Sequence, residues 1–194
     1  MQFQTTLFLA SANPHKIEEL EQILKSLGIN LKTTRDFPER EDVEEDQLTL
    51  EGNALKKARF WNQETGLPSL ADDTGLEVDA LNGAPGVWSA RYAGEGVTYR
   101  QNVEKLLKEM EGEANREAQF RTVIAFVDGE LEKLFEGICK GEIIHEPRGS
   151  KGFGYDPIFA PKGFDKTFAE LSPKEKNLIS HRGLALQEFI KFLK

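Results

Sequence analysis

Thr5-Thr6-Leu7-Phe8-Leu9-Ala10-Ser11-Ala12-Asn13-Pro14-His15-Lys16 carries an apolar run straight into a helix start. Unbroken apolarity over Thr5–Ala10 predicts a short strand buried on both faces. Asn13 suits a helix cap and Pro14 the first helical position. Ile17, Leu20, Leu24 and Leu27 then recur at helical spacing until Gly28 stops the run. A buried strand feeding a helix with no linker points to an α/β fold.

The rest of the chain repeats this alternation. Ile29–Thr34 predicts a second strand, and residues 50–65 predict a helix with Ala54, Ala58 and Trp61 inside. Asp72-Asp73-Thr74-Gly75 reads locally as an Asp-rich turn, with a strand over Leu76–Leu81. Asn82–Gly96 reads as an irregular loop, and Thr98 caps a helix over Tyr99–Glu111. Asp128-Gly129 predicts a hairpin joining Phe120–Val127 to Glu130–Phe135, with a further strand over Gly137–Ile144. Beyond the Gly-rich loop Gly149–Tyr155, Ser172-Pro173-Lys174-Glu175 is a capping box. A last helix from Ser180 buries Leu186, Ile190 and Leu193. One antiparallel hairpin among strands and helices makes the expected sheet mixed.

Composition narrows the function. The chain has 194 residues, 39% hydrophobic and 30% charged, which suits one domain or two lobes sharing a core. Its net charge of -8 weighs against a nucleic-acid polymer as partner, because phosphate backbones are held by excess Lys and Arg. A few placed cations can still hold one small phosphorylated ligand. The single cysteine, Cys139, excludes an intrachain disulfide and a Cys-based zinc cluster. The longest apolar run, Val123–Val127, falls far short of the ~20 residues of a membrane span. A cytoplasmic protein with no membrane partner is expected.

Four clusters could carry chemistry. Lys16 sits in the first turn of a helix, where a cation is unfavourable unless an anion is near. Asp72 and Asp73 could share a hard cation, with Glu44 or Glu45 from the acidic stretch 36–46 completing the site. The glycines of Gly152-Phe153-Gly154-Tyr155-Asp156-Pro157 would let a planar ligand approach Phe153 or Tyr155. Ser180-His181-Arg182, with Lys176 upstream, gathers donors at one helix junction.

In order, these clusters join further motifs: Ser11-x-Asn13-x-x-Lys16, Glu51-x-Asn53-Ala54-x-x-Lys57-Ala58, Ala71-Asp72-Asp73-Thr74-Gly75-Leu76, Gly83-Ala84-Pro85-Gly86, Ser89-Ala90-Arg91-Tyr92, Gly152-Phe153-Gly154-Tyr155-Asp156-Pro157 and Ser180-His181-Arg182. The set resembles the inosine triphosphate pyrophosphatase family, which hydrolyses deaminated purine nucleoside triphosphates. The resemblance runs from about residue 7 to residue 190. It implies an α/β fold with an elongated, curved mixed sheet flanked by helices, two lobes around a central nucleotide cleft, and a homodimer.

The resemblance also implies roles. Ser11, Ala12, Asn13, Pro14, His15 and Lys16 line the triphosphate, Lys57 adds a second cation, and Thr74 lies beside it. Asp73 is the catalytic acid and a Mg2+ ligand, and Glu45 is the second ligand, with Glu44 open as its alternative. Phe153 packs on the base, with Gly154, Tyr155, Asp156, Lys176, His181 and Arg182 around it. The expected reaction is Mg2+-dependent hydrolysis of ITP, dITP or XTP to the monophosphate and pyrophosphate. A non-hydrolysing nucleotide sensor is the rival of another class. Pyrimidine triphosphate hydrolysis is disfavoured by Ser180-His181-Arg182.

Overall fold

A computed structural model describes residues 6–25, 28–40 and 43–194, and the side chain of residue 22 is not described. Five α-helices and seven strands lie among the described residues. In chain order they are β1 (Thr6–Leu9), α1 (Pro14–Lys25), β2 (Asn30–Thr33), α2 (Leu50–Thr65), β3 (Ser69–Val78), β4 (Pro85–Gly86) and α3 (Tyr99–Glu109). β5 (Glu117–Asp128), β6 (Leu131–Ile143), β7 (Phe159–Pro161), α4 (Pro173–Ile179) and α5 (His181–Leu193) follow. The strands form one mixed sheet in the order β2-β1-β3-β5-β6-β7, with β4 paired to β3. β1 is parallel to β2 and β3, whereas β4 and β7 run antiparallel to β3 and β6.

The chain divides into two compact units, one comprising Met1–Asp73, Val123–Glu136 and Ala185–Lys194, the other Thr74–Thr122 and Gly137–Leu184. In the first unit, β1 explains why its sequence lacks polar alternation. Leu7 and Leu9 pack with Ile17 and Leu20 of α1 and with Ala185 and Phe189 of α5. Phe8 stacks on Trp61 of α2, ring centres 4.5 Å apart. Helices thus cover both faces of the strand, and each such buried ring contributes about 1.5–3 kcal/mol. Thr49 caps α2 by accepting from the Gly52 N–H at 3.1 Å, and Gly66 ends it in the left-handed conformation.

The second unit has its own core. Leu76 and Val78 of β3, Val103, Leu106 and Met110 of α3, and Phe120, Phe159 and Phe168 form its centre. Thr98 caps α3 and Ser172 caps α4, each in a reciprocal capping box.

Three sequence expectations change. Asp72-Asp73-Thr74-Gly75 is no turn: β3 runs unbroken through it, and Gly75 has no left-handed φ. What requires glycine there is proximity, since a Cβ would lie 2.7 Å from the Gly86 carbonyl oxygen of the paired strand β4. The expected strand over Gly137–Ile144 is the continuation of β6, with Gly137 buried inside it. In α5 the buried face is Ala185, Leu186 and Phe189, while Ile190 and Leu193 are only partly covered. Elsewhere the expected ends shift: α3 ends at Glu109, and the loop over residues 82–96 contains β4 and a short 3-10 turn at Ser89–Arg91. Thr5 and Leu27, included in the first strand and first helix, lie outside the described residues.

Candidate active site

Each unit carries a cluster of buried polar side chains. In the first, α2 supplies Asn53 and Lys57, one turn apart on the face that also buries Ala54, Ala58 and Trp61. The Lys57 ammonium donates to the Glu45 carboxylate and, at 2.8 Å, to the Asp72 carbonyl oxygen. It also lies 3.7 Å from Asp73 Oδ1. Asn53 Nδ2 donates to Asp73 Oδ2 at 3.1 Å, while its own Oδ1 accepts from the Gln47 N–H at 2.9 Å. One amide thereby ties the acidic segment to β3. Lys16 reaches the same place, its Nζ 3.1 Å from Asp72 Oδ2.

Charge governs this cluster. Asp72 is 1% exposed and Asp73 6% exposed, so both carboxylates are largely withdrawn from water. Burial pushes the Asp73 carboxyl above the ordinary carboxylate range, against the pull of Lys57 and Lys16. Glu45 has the opposite balance: burial works against its charge, but Lys57 and then Lys16 hold it below the usual value. Lys57 itself is raised, because Asp73, Glu45 and Asp72 outweigh its desolvation. Three carboxylates and two ammonium groups meet here. Glu44 is exposed, so of the two acids considered, Glu45 is the one that joins the cluster.

The segment before α1 divides. Asn13 Oδ1 accepts from the N–H groups of His15 at 3.0 Å and Lys16 at 3.4 Å, so it caps the helix as its sequence suggests. The Asn13 N–H lies 3.3 Å from Ser11 Oγ, and Ser11 is buried. Ala12, Pro14 and His15 are exposed.

The second unit's cluster surrounds Phe153. Lys176 Nζ lies 5.1 Å from the centre of its ring and Arg182 Cζ 5.6 Å, within cation–π reach. Both cations are buried, Lys176 5% and Arg182 3% exposed. Asp156 Oδ2 accepts from Lys176 Nζ and from the Phe153 N–H, each at 2.8 Å, so one carboxylate fixes a cation and the ring's backbone together. Gly152, at φ +73, is needed for this, because a Cβ there would lie 2.0 Å from Asp156 Oδ2. Arg182 Nη2 donates to Thr74 Oγ1 at 3.3 Å. The His181 ring stacks on Phe120 at 4.5 Å and 16°. Ser180 Oγ accepts from the Gly183 N–H at 3.1 Å, so Ser180-His181-Arg182 also starts α5. Of the two aromatics proposed for stacking, Tyr155 lies in the core with its hydroxyl donating to the Ser89 carbonyl oxygen at 2.9 Å. Gly154 is half-buried, with nothing within 4 Å of where a Cβ would stand.

Sequence reading passed over Asn53 and Phe120 as site residues, and the structure brings them into the two clusters. Asn53 left a signal: a polar residue at an apolar stripe position of α2, one turn before Lys57. Phe120 looked like any core aromatic.

Comparison with known proteins identifies the family. The Ham1 family profile matches residues 7–192. The chain is 50% identical over 187 residues to a dITP/XTP pyrophosphatase of Flavobacterium johnsoniae, covering 96% of this chain and 97% of that protein. A HAM1 protein from Coxiella burnetii superposes with a TM-score of 0.89 at 43% identity, covering 97% of this chain and 98% of that one. The Staphylococcus aureus Ham1 protein gives 0.88 at 40% identity, covering 97% of each chain. Near-complete coverage in sequence and in three dimensions leaves one conclusion, that this chain belongs to the Ham1 family.

Proposed function

We propose that this chain hydrolyses deaminated purine nucleoside triphosphates, namely ITP, dITP and XTP, to the nucleoside monophosphate and pyrophosphate. The observation that carries the proposal is the cluster in which the carboxylates of Glu45, Asp72 and Asp73 converge on Lys16 and Lys57, with Asp72, Asp73 and Lys57 buried. A triphosphate carries more negative charge still, so the cluster calls for a cation to accompany it. The donor set fits Mg2+, since carboxylate oxygens are the hard ligands that ion prefers. Asp73 and Glu45 would hold it, and when bound it supplies charge neutralisation on phosphate oxygens and a more acidic water.

The chain's own groups do the rest. Lys16 and Lys57 draw the phosphate oxygens and stabilise the departing pyrophosphate. Asp73 orients the attacking water and accepts its proton on a carboxylate oxygen, and burial makes it a stronger base than a surface aspartate. Attack at the α-phosphorus releases pyrophosphate in one step.

For the base, Phe153 offers a ring face, and Arg182 and Lys176 offer donors beside it. A 6-oxo group accepts from such donors. Adenine presents an amino donor instead, and burying that mismatch costs about 1–3 kcal/mol. The name of the Flavobacterium relative, dITP/XTP pyrophosphatase, supports this substrate class. The family resemblance supports a homodimer in the cytoplasm, and the net charge of -8 supports free nucleotides rather than a polymer as substrate.

The test is release of pyrophosphate from ITP, dITP, XTP, GTP and ATP, with and without Mg2+. The expected result is fast, Mg2+-dependent release from the first three and slow release from ATP. Tight nucleotide binding without turnover would instead establish a sensor, and release of orthophosphate would overturn the proposed bond cleavage.

A further inference from the structure

Thr122 is fully buried, 0% exposed, on a strand face whose preceding members are Ala118 and Phe120. Val would fill nearly the same space without burying a hydroxyl, so its oxygen calls for a reason. Thr122 Oγ1 lies 2.6 Å from Thr74 Oγ1. Thr74 Oγ1 in turn lies 3.3 Å from Arg182 Nη2, and a guanidinium can only donate. Thr74 therefore accepts from Arg182. Either hydroxyl can donate within this pair, and in both cases Thr122 holds the Thr74 oxygen where it accepts from the guanidinium. Two residues earlier on the same face, Phe120 stacks on His181. The face of β5 thus supports both His181 and Arg182, one by a ring and the other through a pair of hydroxyls.

We infer that Thr122 is a positioning residue for base selection: acting through Thr74, it fixes the Arg182 guanidinium over Phe153. The inference rests on the proposed reading of Arg182 as a donor to the base. Without the Thr122 oxygen, Thr74 Oγ1 loses a hydrogen bond that fixes its position as an acceptor for Arg182.

The test compares Thr122→Val and Thr122→Ser with the unaltered protein by steady-state kinetics on ITP and ATP, alongside thermal melting. Thr122→Val should lower kcat/KM for ITP roughly tenfold, the worth of about one buried hydrogen bond, and leave ATP within about twofold. Thr122→Ser, which keeps the hydroxyl, should restore the ratio between the two nucleotides. A merely structural role would lower the melting temperature and reduce both activities together. If Thr122→Val does not fold, Thr122→Ala serves for the same ratio. An unchanged ratio in a folded variant lacking the hydroxyl overturns the inference while leaving the function intact. Absence of any ITP preference in the unaltered protein would instead bring down the reading beneath it.

Discussion

The two clusters bury charge in opposite ways. Around Asp73, three carboxylates outnumber two lysines. Around Phe153, Lys176 and Arg182 outnumber Asp156 and lie against a ring face. The first is rich in carboxylate oxygens, the second in N–H donors. Burial raises the stakes in both, because a charge withdrawn from water costs several kcal/mol unless it is paired. Under the proposed function, the contrast gives the reacting phosphates and the recognised base to separate sets of residues.

That division can be broken by substitution. The largest effect is expected from Asp73→Asn, which removes the proposed proton acceptor while keeping the shape. Turnover should fall by at least about a hundredfold on every nucleotide, with the melting temperature preserved. Turnover near that of the unaltered protein would remove Asp73 from the chemistry. Arg182→Ala should act next most strongly, and selectively: the ratio of ITP to ATP activity narrows roughly tenfold. Lys16→Ala lowers both activities alike, since the triphosphate is common to them. If the two variants behaved the same way, the division of labour would fail. The smallest effect concerns the cation. Glu45→Gln should raise the Mg2+ concentration at half-maximal activity several-fold, while the same change at exposed Glu44 does nothing measurable. A reversed outcome would move the proposed ligand by one residue.

Legibility in the sequence followed the range of the interactions. The bounds of α2 were readable from its apolar spacing and from Gly66, a stop that acts within one turn of itself, whereas the Thr49 cap is seen only in the structure. The capping boxes at Thr98 and Ser172 are local in the same sense. Asp72-Asp73-Thr74-Gly75 misled because its composition is that of a turn, whereas its conformation is imposed by neighbouring strands. Gly137 reads as a strand boundary for a similar reason, although β6 runs through it. In the site, the ordered motifs pointed to Lys16, Lys57, Asp73 and Arg182. The Phe120–His181 stack joins residues far apart in sequence, and neither type announces the other. The acidic stretch left the choice between Glu44 and Glu45 open until Lys57 was seen to reach only one of them.

Gly152 carries no charge, yet it governs one. The space where its side chain would begin is held by a carboxylate oxygen of Asp156. Adding a single carbon there would evict that oxygen, release Lys176 and loosen the amide of Phe153 in one event. A hydrogen atom on this loop therefore acts as an electrostatic element, and the pairing of Asp156 with Lys176 depends on its remaining that small.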